Sequence, residues 1–210
     1  MGEYSNRPIN WNRVGSQYKA KNDRISCMRN IVMNEIVKSK GDYSIERRSF
    51  WAKKLKNVKL GCLLADRLTD LYDERNAIEV YNFIESIFLI NGFSEEEALD
   101  YISSNTSLLL LDKDRIVQIL SVLKVGNLDN KILFSMPSLF FESISLSKLY
   151  NVASKYADCD DLDMFNAELK SNEEIETISS VKIGRLIVKY MSDYKNKKEA
   201  LKDNMRLERL

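Results

Sequence analysis

Chain breakers are scarce: the only prolines are Pro8 and Pro137, and the 210 residues hold seven glycines. Sandwiches and barrels need many Gly/Pro-rich turns, so this scarcity points to helices. The apolar spacing agrees. From Gln17 to Lys40, Ile25, Met28, Val32 and Ile36 recur at intervals of three and four, one face of an amphipathic helix that Gly41-Asp42 ends. Ser44 is placed to cap a second helix carrying Phe50, Trp51, Leu55 and Val58. Leu60, Leu64, Leu68 and Leu71 form a third stripe, and Ile78, Tyr81, Ile84 and Phe88 a fourth that stops at Asn91-Gly92. Residues 1–16, with Pro8, Gly15, Asn6, Asn10 and Asn12, read as a flexible basic arm ahead of a basic helical region, residues 17–91.

The clearest local signal follows. Ser94-Glu95-Glu96-Glu97 is a capping box, in which the serine oxygen accepts the third backbone amide and Glu97 reaches back to the serine amide. Leu99 and Ile102 form that helix's buried side. Leu108–Leu111 and a capping Asp112 then lead into a helix with Ile116, Leu120 and Leu123, ended by Gly126-Asn127. The arrangement recurs: Pro137-Ser138-Leu139-Phe140 matches Thr106-Ser107-Leu108-Leu109 at an offset of 31, and Ser145 caps a helix with Leu149, Val152 and Tyr156. Gly92 against Gly126 gives 34, so the period lies in the range of helical solenoids. A degenerate third copy is expected at 158–210: residues 172–180 parallel 96–104, residues 158–170 form an acidic connection, and Ile183–Leu210 is one long basic helix whose Ile187, Tyr190 and Met191 pack on the last repeat.

Residues 89–157 resemble two consecutive repeats of the mitochondrial transcription termination factor (mTERF) family. Gly92-Phe93-Ser94-Glu95-Glu96-Glu97, the Pro137-Ser138-Leu139 triplet and the leucine-rich pairs ahead of a capped second helix carry the likeness. It implies an α-solenoid of short three-helix repeats, in a family whose members bind nucleic acid along a concave basic surface. Three features depart from the family pattern: Thr106 stands where the family favours proline, family members usually carry many more repeats, and the matching stretch is not basic. The fold expected is all-α, a short right-handed α-solenoid of helical repeats (92–157) packed on an N-terminal helical region.

Apolar runs are short. Leu108–Leu111 is closed by Asp112 after four residues, where a membrane span needs roughly 18. The N-terminus has no charged-then-apolar leader pattern, which predicts a cytoplasmic protein. Cys27, Cys62 and Cys159 are widely spaced and odd in number, and histidine is absent. A disulfide scaffold and a Cys/His zinc site are therefore not expected, nor is any cofactor. Without histidine there is no Ser-His or Cys-His nucleophile pair, and no glycine-rich phosphate loop is present, so no catalytic residue is assigned. Asp158, Asp160, Asp161 and Asp163 lack the spacing of a calcium loop and read as a solvated linker.

The net charge of +1 hides a pattern. Residues 1–60 carry 14 Lys/Arg against 5 Asp/Glu, residues 61–180 carry 9 against 22, and residues 181–210 carry 9 against 4. A basic head, an acidic middle and a basic tail make a dipolar surface. In the head, Arg7, Trp11, Arg13, Tyr18, Lys19, Lys21 and Arg24 interleave cations with aromatics, and Arg47, Arg48, Lys53, Lys54 and Lys56 follow. Cations neutralise phosphates and aromatics stack on bases, so a non-enzymatic nucleic-acid contact, to DNA or RNA, is the leading expectation. The plain alternative is that these charges solvate helices while Trp11 and Trp51 anchor the core. The competing function is a protein-interaction adaptor or inhibitor that offers Glu95, Glu96, Glu97 and Asp100 to a basic partner. The tail, Lys195 through Arg209, suits a second phosphate contact, a membrane surface or the acidic middle, within one chain or across a homodimer.

Overall fold

A computed structural model describes residues 44–68, 71–158, 160–171 and 176–207, and every regular element among them is helical. The arm at 1–16 and the helix expected at 17–40 lie outside these residues. Residues 44–54 form α1, followed by α2 (Val58–Arg67), α3 (Leu71–Ile90), α4 (Glu95–Ser104), α5 (Lys113–Leu123), α6 (Asp129–Ser135), α7 (Leu146–Lys155), α8 (Leu162–Lys170) and α9 (Ser180–Leu207). No described helix is long and apolar enough to cross a membrane.

The first stripes divide differently from the sequence expectation. Ser44 is already helical, and α1 stops before Val58 rather than running through it. At the break Lys56 takes φ 48°, with its amide on the Lys53 carbonyl and the Asn57 amide on the Ala52 carbonyl. This paired closure is the Schellman type, usually built on glycine. The Asn57 side chain then accepts the Leu60 amide and starts α2. Trp51 and Leu55 are buried, but Phe50, Val58 and Leu71 are exposed. Leu71 belongs to α3, because α2 ends at Arg67. Glycine makes the α1–α2 crossing: a Cβ on Gly61 would stand 2.3 Å from the Ala52 nitrogen.

The internal repetition is visible as element order. Helix α4, a 3-10 turn at Thr106–Leu110 and α5 are followed by α6, a 3-10 turn at Pro137–Phe141 and α7. The two turns stand 31 residues apart, and buried Leu108 and Leu109 answer buried Leu139 and Phe140. Each unit closes on a left-handed residue, Asn127 (φ 55°) and then Asp158 (φ 56°), again 31 apart. Gly126-Asn127 ends the first unit as expected, and Gly126 has a further task. A Cβ there would lie 2.2 Å from the Ala153 carbonyl oxygen, so glycine lets α7 approach the end of α5. Tyr101 donates to the Leu133 carbonyl, and Arg115 to the Ile144 carbonyl at 2.8 Å, tying one unit to the next.

The third copy differs from its sequence alignment. Residues 176–179 carry no regular structure where the match to α4 expects helix, and the supposed acidic linker contains α8, whose N-cap is Asp161. Helix α9 packs chiefly on α5 and α3 rather than on the last repeat. It lays Leu186, Ile187, Tyr190, Met191 and Tyr194 on the core, with the Tyr194 ring 5.0 Å from Phe83. The centre of the core is α5, where Ile116, Ile119, Leu120, Val122 and Leu123 are almost wholly buried. It meets α3, α6, α7 and α9.

Candidate functional site

Of the basic candidates, Arg7, Trp11, Arg13, Lys19, Lys21 and Arg24 lie outside the described residues. The helical period of α1 sorts the other five. Arg47 shares the inward stripe with Trp51 and is buried, donating to the Leu68 carbonyl with its Nε 3.5 Å from Glu74. It fastens α1 to α3 and does not face solvent. Arg48 holds Asp66 at 2.6 Å, which joins α1 to α2. The Lys54 ammonium lies 3.9 Å from the centre of the Tyr81 ring, a cation–π contact. Burial and Glu85 push the Tyr81 phenol up to about 12, so the ring stays neutral beneath that charge. Lys53 and Lys56 are exposed and have no anionic partner among the described residues. The structure thus leaves two of these five cations open.

The acidic candidates have a different geometry. The Ser94 hydroxyl accepts the Glu97 amide at 3.2 Å, and the Glu97 carboxylate accepts the Ser94 amide at 2.8 Å. The Ser94 amide and the Ser94 hydroxyl, which also donates to the carboxylate at 2.9 Å, hold the Glu97 carboxyl below its ordinary value. The box fixes the first turn of α4 and aims Glu95, Glu96 and Asp100 at solvent, without cationic partners among the described residues. Beneath this turn an aromatic cluster locks the helix entrance. Phe88 lies 5.2 Å from Phe93, 4.8 Å from Tyr101 and 4.6 Å from Phe134. Phe93 is partly exposed beside the carboxylates. The sequence names it only within the family-like motif and assigns it no role, although a hydrophobic residue just before an N-cap is a recognisable signal.

The aspartate run performs separate structural tasks. Asp158 accepts from Asn127 at 2.8 Å, Asp160 pairs with Lys131, and Asp161 caps α8. Lys131 holds the Asp160 carboxyl below its ordinary value. Among the described residues no group of three potential ligands gathers around a metal position. Between α9 and the ends of α3 and α5, a crevice of about 40 Å³ is lined by Lys124, Asp129, Tyr190 and Asp193 among others. That is room for water and far below the roughly 300 Å³ of a small-molecule pocket. Burial, with the charge of Asp129 adding to it, pushes the Tyr190 phenol far up, so it stays protonated.

The exposed face of α9 also eluded the sequence reading. Helix α9 carries Lys182 over the Tyr150 ring at 4.3 Å, whereas Arg185 and Lys189 face solvent unpaired among the described residues. No protein-family model, curated protein or solved structure shows a match to this chain.

Proposed function

We propose that the chain is a non-enzymatic interaction scaffold: a short right-handed α-solenoid of mTERF-like units, packed on an N-terminal helical region, whose acidic surface around α4 receives a basic partner protein. The observation that carries this reading is how the cations of the acidic middle are used. Six of the nine Lys/Arg at 61–180 have a partner: Lys113, Lys124, Lys131 and Lys155 are each engaged with a carboxylate, and Arg115 and Lys148 with backbone carbonyls. Glu95, Glu96 and Asp100 are left uncompensated on a rigid, capped helix. A fixed carboxylate cluster steers a cationic partner and selects against an anionic one. Calorimetry with a lysine-rich peptide tests it. Glu95→Lys/Glu96→Lys/Asp100→Lys should abolish binding while the helical content is unchanged, and undiminished binding sinks the reading.

A second reading, contact with DNA or RNA phosphates, is favoured by Lys53, Lys56 and Lys59. All three are exposed without an anionic partner among the described residues, on the side of the chain that continues into the basic head. Affinity should then fall steeply with salt, and Lys53→Glu/Lys56→Glu should weaken it for any sequence. Absence of binding at low salt rules this reading out.

A further inference from the structure

Four glycines lie among the described residues, and three have a reason inside the molecule. Gly92 takes φ +84°, while Gly61 and Gly126 admit backbone where a Cβ would collide. Gly184 has neither reason. It lies within α9, and a Cβ there would meet nothing within 4 Å. Glycine inside a helix is destabilising relative to alanine, and nothing among the described residues offsets that cost here. Its neighbours on the same stripe are Val181, 62% exposed, and Val188, 71% exposed, at spacings of three and four. Arg185 and Lys189 line the same open groove together with one carboxylate, Asp193, so its charge is net positive. A different side of α9 is already packed on the core through Ile187, Tyr190 and Tyr194. Helix α9 therefore has a second apolar strip that nothing covers among the described residues.

We infer that this outer face of α9 docks an acidic amphipathic helix of a partner protein. A seam of small or aliphatic residues lies along Val181, Gly184 and Val188, and the missing Cβ lets the two backbones approach. Carboxylates beside that seam reach Arg185 and Lys189. Charge selects this occupant over a second copy: with two cations against one carboxylate the groove is net positive, and a second copy would bring the same net charge to it. The α4 helix of a second copy offers carboxylates but no apolar seam on its outer side. Phosphates suit the two cations and gain nothing from two bare valines. The site is separate from the acidic α4 surface and stands or falls independently of it.

The test uses the full chain, labelled with ¹⁵N, and two synthetic helical peptides sharing one Ala/Leu seam, flanked by Glu in the first and by Lys in the second. The Glu peptide should shift the amides of residues 181–192, and the Lys peptide should not. Gly184→Leu should weaken the Glu peptide by roughly tenfold or more, as should Arg185→Glu/Lys189→Glu. Gly184→Leu replaces a helical glycine whose Cβ position faces open space with a better helix former, so circular dichroism should show the fold intact. The inference fails if α9 amides do not move, or if Gly184→Leu binds as the parent does. It also fails if duplex DNA occupies the same amides more tightly than the peptide. Light scattering decides the remaining case: self-association that Gly184→Leu abolishes assigns the face to a second copy and overturns the proposal.

Discussion

Arg47 on α1 reaches across to Glu74 on α3, Nε to carboxylate oxygen 3.5 Å, with both side chains largely removed from water. A cation that composition assigns to a basic surface is thus part of the packing between the N-terminal helices and the repeats. Removing one partner of such a pair strands the other, a loss of about 3 kcal/mol. Arg47→Ala should therefore lower the urea midpoint strongly. It should leave any nucleic-acid affinity of the folded fraction unchanged, and lost affinity at full stability contradicts this placement.

Lys56 holds a left-handed backbone that costs an L-residue roughly 1 kcal/mol. Lys56→Gly should raise stability by up to about that amount. Chemical denaturation reads the change directly, and a decrease would show that the lysine side chain stabilises the turn by some other contact.

The glycines of α9 and of the α5–α7 junction should respond oppositely to alanine. Gly126→Ala forces a Cβ to within 2.2 Å of a backbone oxygen and should cost about 2–3 kcal/mol. Gly184→Ala meets open space and should add up to about 1 kcal/mol. Thermal melts of the two variants separate the cases, since the expected shifts differ in sign.

Acid sensitivity follows from three carboxylates whose folded values are depressed: Glu97 by Ser94, Asp160 by Lys131 and Glu168 by Lys155. A depressed carboxyl contributes stability above its unfolded value and loses it as pH falls through the folded value. With ordinary values of 4.5 for Glu and 3.8 for Asp, the unfolding midpoint should hold above about pH 5 and decline steadily below it. Glu97→Gln/Glu168→Gln should flatten that decline, and an unchanged slope would assign it to other groups.

Local sequence determined the elements whose cause lies within a few residues. The box of Ser94 and Glu97, the caps at Asp112 and Ser145, the stop of α3 at Asn91-Gly92 and the 31-residue echo of the two 3-10 turns are all legible. Periodicity and capping chemistry act between neighbours along the chain, so the pattern carries them. The aspartates of 158–163 marked the limit of that logic. Their charge suggested a linker, while Asp161 acts as a cap and Phe165 and Leu169 of α8 are buried.

Tertiary structure alone decided where the charges go. Whether a lysine faces solvent, a carboxylate or a ring depends on partners such as Tyr81 for Lys54 or Asp160 for Lys131, brought close from 27 and 29 residues away. The seating of α9 on α5 and α3, and hence the exposure of Val181, Gly184 and Val188, depends on the same long-range packing. A charge tally adds every side chain with equal weight. Folding removes some from the surface and leaves others open, and only the packed molecule separates the two.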